Sequence, residues 1–165
     1  MKKVILLASF MMCILNVTAQ NKLSYQSEVG IGYGFRLENE SMDRLYFETI
    51  HGVRFNPKLF VGLGVGLESY DDGGATIPVF ANIRSYLDNG IIKPYLFANL
   101  GYGYGDISGV YVGVGLGFDI DISSNRGVYL NFGYQSQGWA NNVDDRGFYG
   151  PSNIGAFLLQ LGCRF

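Results

Sequence analysis

Apolar and polar positions alternate along most of this chain with a period of two. The final segment, GAFLLQLGCRF, places Phe157, Leu159, Leu161, Cys163 and Phe165 in one set. Leu158, Gln160, Gly162 and Arg164 fall in the other. A period of two sends successive side chains to opposite faces of an extended strand. Seven earlier segments behave the same way. Ser24 to Arg36 sets Tyr25, Ser27, Val29, Ile31, Tyr33 and Phe35 against Gln26, Glu28, Gly30, Gly32, Gly34 and Arg36. Leu45 to Phe55 sets Phe47, Thr49, His51, Val53 and Phe55 against Glu48, Gly52 and Arg54, with Tyr46 and Ile50 breaking the pattern on the polar side. Leu59 to Glu68 is the clearest, alternating Leu59, Val61, Leu63, Val65 and Leu67 with Phe60, Gly62, Gly64, Gly66 and Glu68. Further strands are expected around Val79–Leu87, Tyr95–Gly103, Val110–Ile120 and Val128–Gln137.

The connections differ on the two sides. Asn56-Pro57-Lys58, Asp88-Asn89-Gly90 and Ser123-Ser124-Asn125 are turn signals. On the other side lie LENESMD, YDDGGA, the short stretch Asp106 to Ser108, and a long loop from about Gly138 to Ser152. An even number of strands brings both termini to the side of the short turns.

Composition changes this picture in one respect. Glycine occurs 24 times, beside 12 Tyr and 12 Phe and only 4 Pro. The strand glycines, such as Gly30, Gly32, Gly62, Gly64, Gly113, Gly115 and Gly117, fall opposite the aliphatic set. Glycine weakens a strand, so this placement needs a cause. Inside a barrel of eight strands there is just room for side chains, and glycine would make space for Phe60, Arg84, Tyr95, Phe97, Tyr111 and Tyr129. The glycine face also carries Glu28, Arg36, Glu48, Arg54, Glu68, Arg84, Asp119 and Arg164. A face of small, aromatic and charged residues opposed by Val and Leu is the inverse of a water-soluble barrel and suits an exterior in contact with lipid. The soluble alternative, a secreted lipocalin-like barrel, would turn the glycine and charge face to water and bury the aliphatic rows around a ligand cavity.

The amino terminus, MKKVILLASFMMCILNVTAQ, has the basic start, apolar middle and small-residue site of a secretory signal peptide, with cleavage expected after Ala19. Its apolar stretch is shorter than the roughly 20 residues needed to span a bilayer as a helix. Residues 20–165 then form one domain. Cys163 would be left as a lone cysteine, read as a small apolar side chain on the outer face rather than a reactive thiol.

The segments LFVGLGVGLESY, IPVFANIRSYL, KPYLFANLGYGYG, VYVGVGLGFDI and GAFLLQLGCRF together resemble the small outer-membrane barrel proteins of Gram-negative bacteria, of OmpA/OmpX type. The resemblance implies an all-β fold: an eight-stranded antiparallel up-and-down transmembrane β-barrel. It also implies residence in the outer membrane, with both termini in the periplasm and outer-membrane lipid as surroundings. The closing strand, through Phe157, Leu159, Leu161 and Phe165, would serve as the signal read by the outer-membrane insertion machinery.

Candidate chemistry is sparse. Lipid-modifying barrels use His with Ser and a carboxylate, but the one histidine, His51, is followed by Gly52 and Val53 and lies near the Asn56-Pro57 turn, which favours a structural or interfacial role. Asp71-Asp72-Gly73-Gly74 and Asp144-Asp145 read as solvated loops rather than a Ca²⁺ site. The glycine repeats alternate within strands, whereas a dinucleotide fingerprint must open a helix. A net charge of -2 gives no basic patch for nucleic acid. No catalytic, cofactor-binding or metal residues are assigned. The inner charges are expected to form two networks, Arg54, Arg84 and Arg164 with Glu28 and Asp119 toward the periplasmic end, and Arg36 with Glu48 and Glu68 toward the outer end, because an unpaired charge in such an interior is costly. Trp139, Phe148 and Tyr149 in the long loop either rest at the headgroup level or meet a surface partner. The expected function is non-enzymatic: envelope support or display of surface loops. The alternatives are a narrow porin-like pore for ions or small solutes, and a lipid-modifying outer-membrane enzyme.

Overall fold

The computed structural model describes residues 23–37, 43–71, 73–123, 125–138 and 153–165. The expected signal peptide, the acidic pair Asp144-Asp145 and the loop aromatics Trp139, Phe148 and Tyr149 lie outside the described residues. Eight strands form: β1 (Ser24–Arg36), β2 (Arg44–Asn56), β3 (Leu59–Tyr70), β4 (Ala75–Tyr86), β5 (Ile92–Gly105), β6 (Gly109–Ser123), β7 (Arg126–Gly138) and β8 (Asn153–Arg164). Each pairs antiparallel with its neighbours in sequence, and β1 closes on β8, giving an up-and-down barrel with no free edge. The seam runs from Glu28↔Arg164 to Arg36↔Ala156 and is extended by reciprocal backbone bonds between Ser27 and Phe165 at 3.1 and 2.8 Å. Closure satisfies every ladder that an open sheet would leave unpaired, which a hydrocarbon surrounding demands.

The facing pattern follows the period of two. Leu63 is 69 % exposed and Leu161 57 %, while Phe60 is fully buried. On β2, Tyr46 and Ile50 turn inward beside Glu48, so the break in the pattern reflects a lumen that takes apolar side chains as readily as charged ones. The outer wall is formed by Val, Leu, Ile and aromatic rows on every strand. Such a wall around a buried polar interior is the arrangement of a barrel that sits in lipid.

Strand β4 begins earlier than the alternation suggested. It runs through Pro78, whose ring faces inward and which lacks an N–H for the ladder. The β3–β4 pairing is broken there, between Val65↔Val79 and Glu68↔Thr76. Gly66 faces the gap; a Cβ on it would stand 3.1 Å from the proline ring. Two bulges, at Arg54/Asn56 and Asp121/Ser123, both sit at the rim of the short turns. Bulges there bend the strand ends and re-aim rim side chains.

Aromatic rings and glycines are matched across the strand gaps. Tyr46 lies opposite Gly32, Phe80 opposite Gly64, Tyr95 opposite Gly117, Phe97 opposite Gly115 and Tyr129 opposite Gly162. In each case the ring occupies the place that a side chain on the glycine would need. A Cβ on Gly117 would lie 2.6 Å from Tyr95 Oη, and one on Gly115 would lie 2.8 Å from Phe97 Cε1. The rings therefore lie flat along the inner wall, as in the aromatic rescue of strand glycine. Replacing Gly117 by Val is expected to lower stability by about 1–3 kcal/mol through overpacking against Tyr95. Urea unfolding in detergent or vesicles would measure it, and a second change, Tyr95→Ala, should return part of the loss.

Candidate functional site

Among the described residues the lumen gathers most of the buried ionisable side chains, and it is built in three levels. Nearest the short turns is a set of ion pairs. Arg84, from β4, is fully buried and faces Glu28 of β1. Its Nη1 donates to Glu28 Oε1 at 2.8 Å, and its Nη2 lies 2.6 Å from Oε2. The guanidinium sits within cation–π range of three rings, Phe60, Tyr95 and Tyr129, at 5.4, 5.0 and 5.3 Å. Gln26 donates to the same Glu28 carboxylate at 2.6 Å, and Arg84 Nε donates to Asn82 at 3.1 Å. At the rim, Arg164 reaches Asp119 at 3.1 Å and Arg54 reaches it at 3.5 Å. Asp121 joins this group, 2.5 Å from both Lys93 Nζ and Arg164 Nη2.

A relay of neutral groups occupies the middle. Tyr95 Oη donates to Asn131 at 2.5 Å, Asn131 donates to Gln160 at 2.7 Å, and Gln160 donates to Glu48 at 2.6 Å. Asn82 donates to Asn99 at 2.5 Å. Toward the loop end, Arg44 stands 3.3 Å from Glu68 and donates to the Gln135 carbonyl at 3.3 Å. Tyr70 donates to Glu68 at 2.9 Å, and the Gln135 amide donates to the other Glu68 oxygen. Above them, Thr76 and the Gln137 amide both donate to the Ile107 carbonyl.

At the turn end the structure pairs Arg84 with Glu28, and separately sets Arg54 and Arg164 against Asp119, so the residues expected to form one network form two groups. The second expected network requires correction. Arg36 is exposed at the end of β1, and its backbone N–H binds Asp43 at 2.8 Å. The register explains why. Gly34 is already opposite Arg44, the first residue of β2, so Arg36 lies beyond the end of the β1–β2 ladder. Arg44 takes the cation's place beside Glu68. It was missed because the second strand was expected to begin one residue later. Its parity with Tyr46, Glu48 and Ile50 was the available signal. Glu48 does not meet Arg36; its carboxylate is buried and accepts from the Gln160 amide. The amide relay itself had no counterpart in the sequence reading, although Asn82, Asn99, Asn131, Gln135, Gln137 and Gln160 all share the inner parity.

His51 faces outward. The Tyr25 hydroxyl lies 2.6 Å from Nδ1, and Nε2 lies 3.2 Å from Thr49 Oγ1, which donates to the Glu28 carbonyl at 2.9 Å. Tyr25, His51 and Thr49 thus form one outer-wall hydrogen-bond chain that ends on the Glu28 carbonyl. Cys163 is exposed on the same outer face. Phe157, Leu159 and Leu161 are exposed along β8, and Phe165 is exposed just past its end.

Closed barrel, aliphatic exterior and ion-paired lumen together define a small eight-stranded transmembrane β-barrel. No protein-family model and no curated protein matches the chain. Solved structures do. Neisserial surface protein A (NspA) aligns over 87 % of this chain and 97 % of its own, with a TM-score of 0.64 at 15 % identity. The N-terminal β-barrel domain of Pseudomonas aeruginosa OprF aligns over 87 % and 98 %, with a TM-score of 0.50 at 16 % identity. The Yersinia pestis outer membrane protein Ail aligns over 86 % and 100 %, with a TM-score of 0.47 at 18 % identity. At these identities the likeness is one of fold.

Removing one partner of a buried ion pair leaves the other charge uncompensated. Arg84→Met is therefore expected to destabilise the barrel by about 3–5 kcal/mol, whereas Glu28→Gln combined with Arg84→Met should recover much of that loss. Denaturant midpoints of the two variants in vesicles provide the comparison.

Proposed function

We propose that the protein is an integral outer-membrane barrel without catalytic activity, which supports the envelope and holds its longer loops at the cell surface. In this reading the short turns and both termini face the periplasm. The strand β8, through Phe157, Leu159, Leu161 and Phe165, is the element presented to the insertion machinery. One observation carries the proposal: ion pairs and amide hydrogen bonds span the lumen at three levels, behind a wall made chiefly of aliphatic and aromatic side chains. A lumen filled in this way serves as a strut rather than a passage. His51, the single histidine, is held in an outer-wall hydrogen-bond chain apart from the lumen carboxylates, which speaks against acid–base chemistry on a lipid.

The narrow pore is the alternative that the same geometry tests most directly. The purified barrel in planar bilayers is expected to give no stable conductance; sustained open channels would refute the strut. In cells, loss of the protein is expected to raise sensitivity to detergent while leaving the mass profile of lipid A unchanged. A version lacking residues 140–150 should restore resistance if the barrel is the working part. Failure of that version to restore it would move the function to the loop and its partner.

A further inference from the structure

At the turn-end mouth of the barrel a cavity of ≈ 140 Å³ is lined by Arg54, Lys93 and Arg164, with Asp121 among them. Asp119 lies within ion-pair reach of Arg54 and Arg164. Three side-chain cations thus meet two side-chain carboxylates, and both acids are already shared. Asp121 is held by Lys93 and by Arg164, each at 2.5 Å, and Asp119 by Arg164 at 3.1 Å. The backbone oxygen of Phe165 is taken up in the seam, where it accepts the Ser27 N–H at 3.1 Å. Arg54 is the least engaged cation. It stands 3.5 Å from Asp119, its guanidinium stacks 4.1 Å above the Tyr86 ring, and its Nε makes no hydrogen bond among the described residues. Gly127 makes room for the Arg164–Asp119 pair, because a Cβ there would stand 2.6 Å from Arg164 Nη2 and 2.9 Å from Asp119 Oδ1.

The other side of the cavity belongs to the outer wall. Tyr25 and Phe165 also line it, at the β1–β8 seam, and both are largely exposed. Aromatic side chains at the end of a spanning strand lie at the headgroup level. The cavity therefore reaches from the lumen mouth to the edge of the wall, with Arg54, Lys93 and Arg164 inside and rings outside.

We propose that this cavity binds the phosphate of a phospholipid headgroup from the leaflet at the turn end. Arg54, Lys93 and Arg164 surround the phosphate, and the acyl chains leave past Tyr25 and Phe165. Asp121, the more open of the two acids, faces the ammonium of a zwitterionic headgroup. The inference rests on the transmembrane reading above, and the test separates the two.

The barrel is reconstituted in vesicles of phosphatidylethanolamine and phosphatidylglycerol, extracted in mild detergent and weighed by native mass spectrometry. One retained phospholipid per barrel is expected. Arg54→Gln with Lys93→Gln should lower retention about tenfold, as the loss of charge-assisted contacts to a phosphate implies. Lys93→Gln alone, which leaves Asp121 paired with Arg164, should give a smaller loss in the same direction. Lys58→Gln, at the β2–β3 turn, should retain the lipid as the parent does. Equal retention in the parent and the double variant overturns the proposal. Release of the lipid by inorganic phosphate overturns it too, since the site would then belong to a soluble anion. Heat-modifiable gel mobility of the same samples reports insertion. A chain that never inserts refutes the transmembrane reading and this site together, whereas an inserted barrel with no lipid refutes the site alone.

Discussion

The constraint on which this structure depends is the small bore of a cylinder made from eight strands. Inward side chains from opposite walls meet in the middle, so no inner position can be chosen independently of those across from it. Glycine opposite Tyr46, Phe80, Tyr95, Phe97 and Tyr129 is the direct result. Each ring folds down over a bare stretch of backbone and leaves the axis to polar groups. The intrinsic weakness of glycine in a strand is offset by the ring that covers it.

The same confinement governs the electrostatics. Polar groups along the axis have little access to water, so the charged ones are held by partners within the protein, while the buried hydroxyls of Tyr46, Tyr86 and Tyr129 make no hydrogen bond among the described residues. Glu28 with Arg84 and Glu68 with Arg44 meet this demand by charge, and Glu48 meets it through an amide. The rim is different. There Lys93, Arg54 and Arg164 share acids near open space, and two bulges shape the strand ends. The interior is thus committed to holding itself together, and the mouth retains groups that can engage something else.

Much of this was legible in the sequence, because a period of two is a strong signal when both faces are chemically distinct. Alternation on β3 and β8 leaves little choice about which side chains face out. It also placed Glu28, Arg84, Asp119 and Arg164 on one wall and near one end. Legibility failed where the period met an end or an exception. Arg36 and Arg44 each lie at a strand terminus, and a shift of one residue in where β2 begins decides which of them is inside. Pro78 concealed the start of β4, since a proline in a paired strand argues against pairing until the neighbouring Gly66 is known to make room. The amide relay could not be read at all, because partners such as Gln160 and Glu48 are brought together by register and barrel closure rather than by local pattern.

One consequence follows from where the lumen bonds are anchored. Glu28 and Arg84 are separated by 56 residues, Glu68 and Gln135 by 67, and Glu48 and Gln160 by 112. These bonds join strands that are not neighbours in the sheet, so none can form while the sheet is still flat. Before closure the same carboxylates, amides and guanidinium groups are wetted. Joining β1 to β8 expels that water and makes the ties at once. Assembly is therefore expected to finish in a single concerted step, and a half-curled sheet has little stability of its own on which to pause.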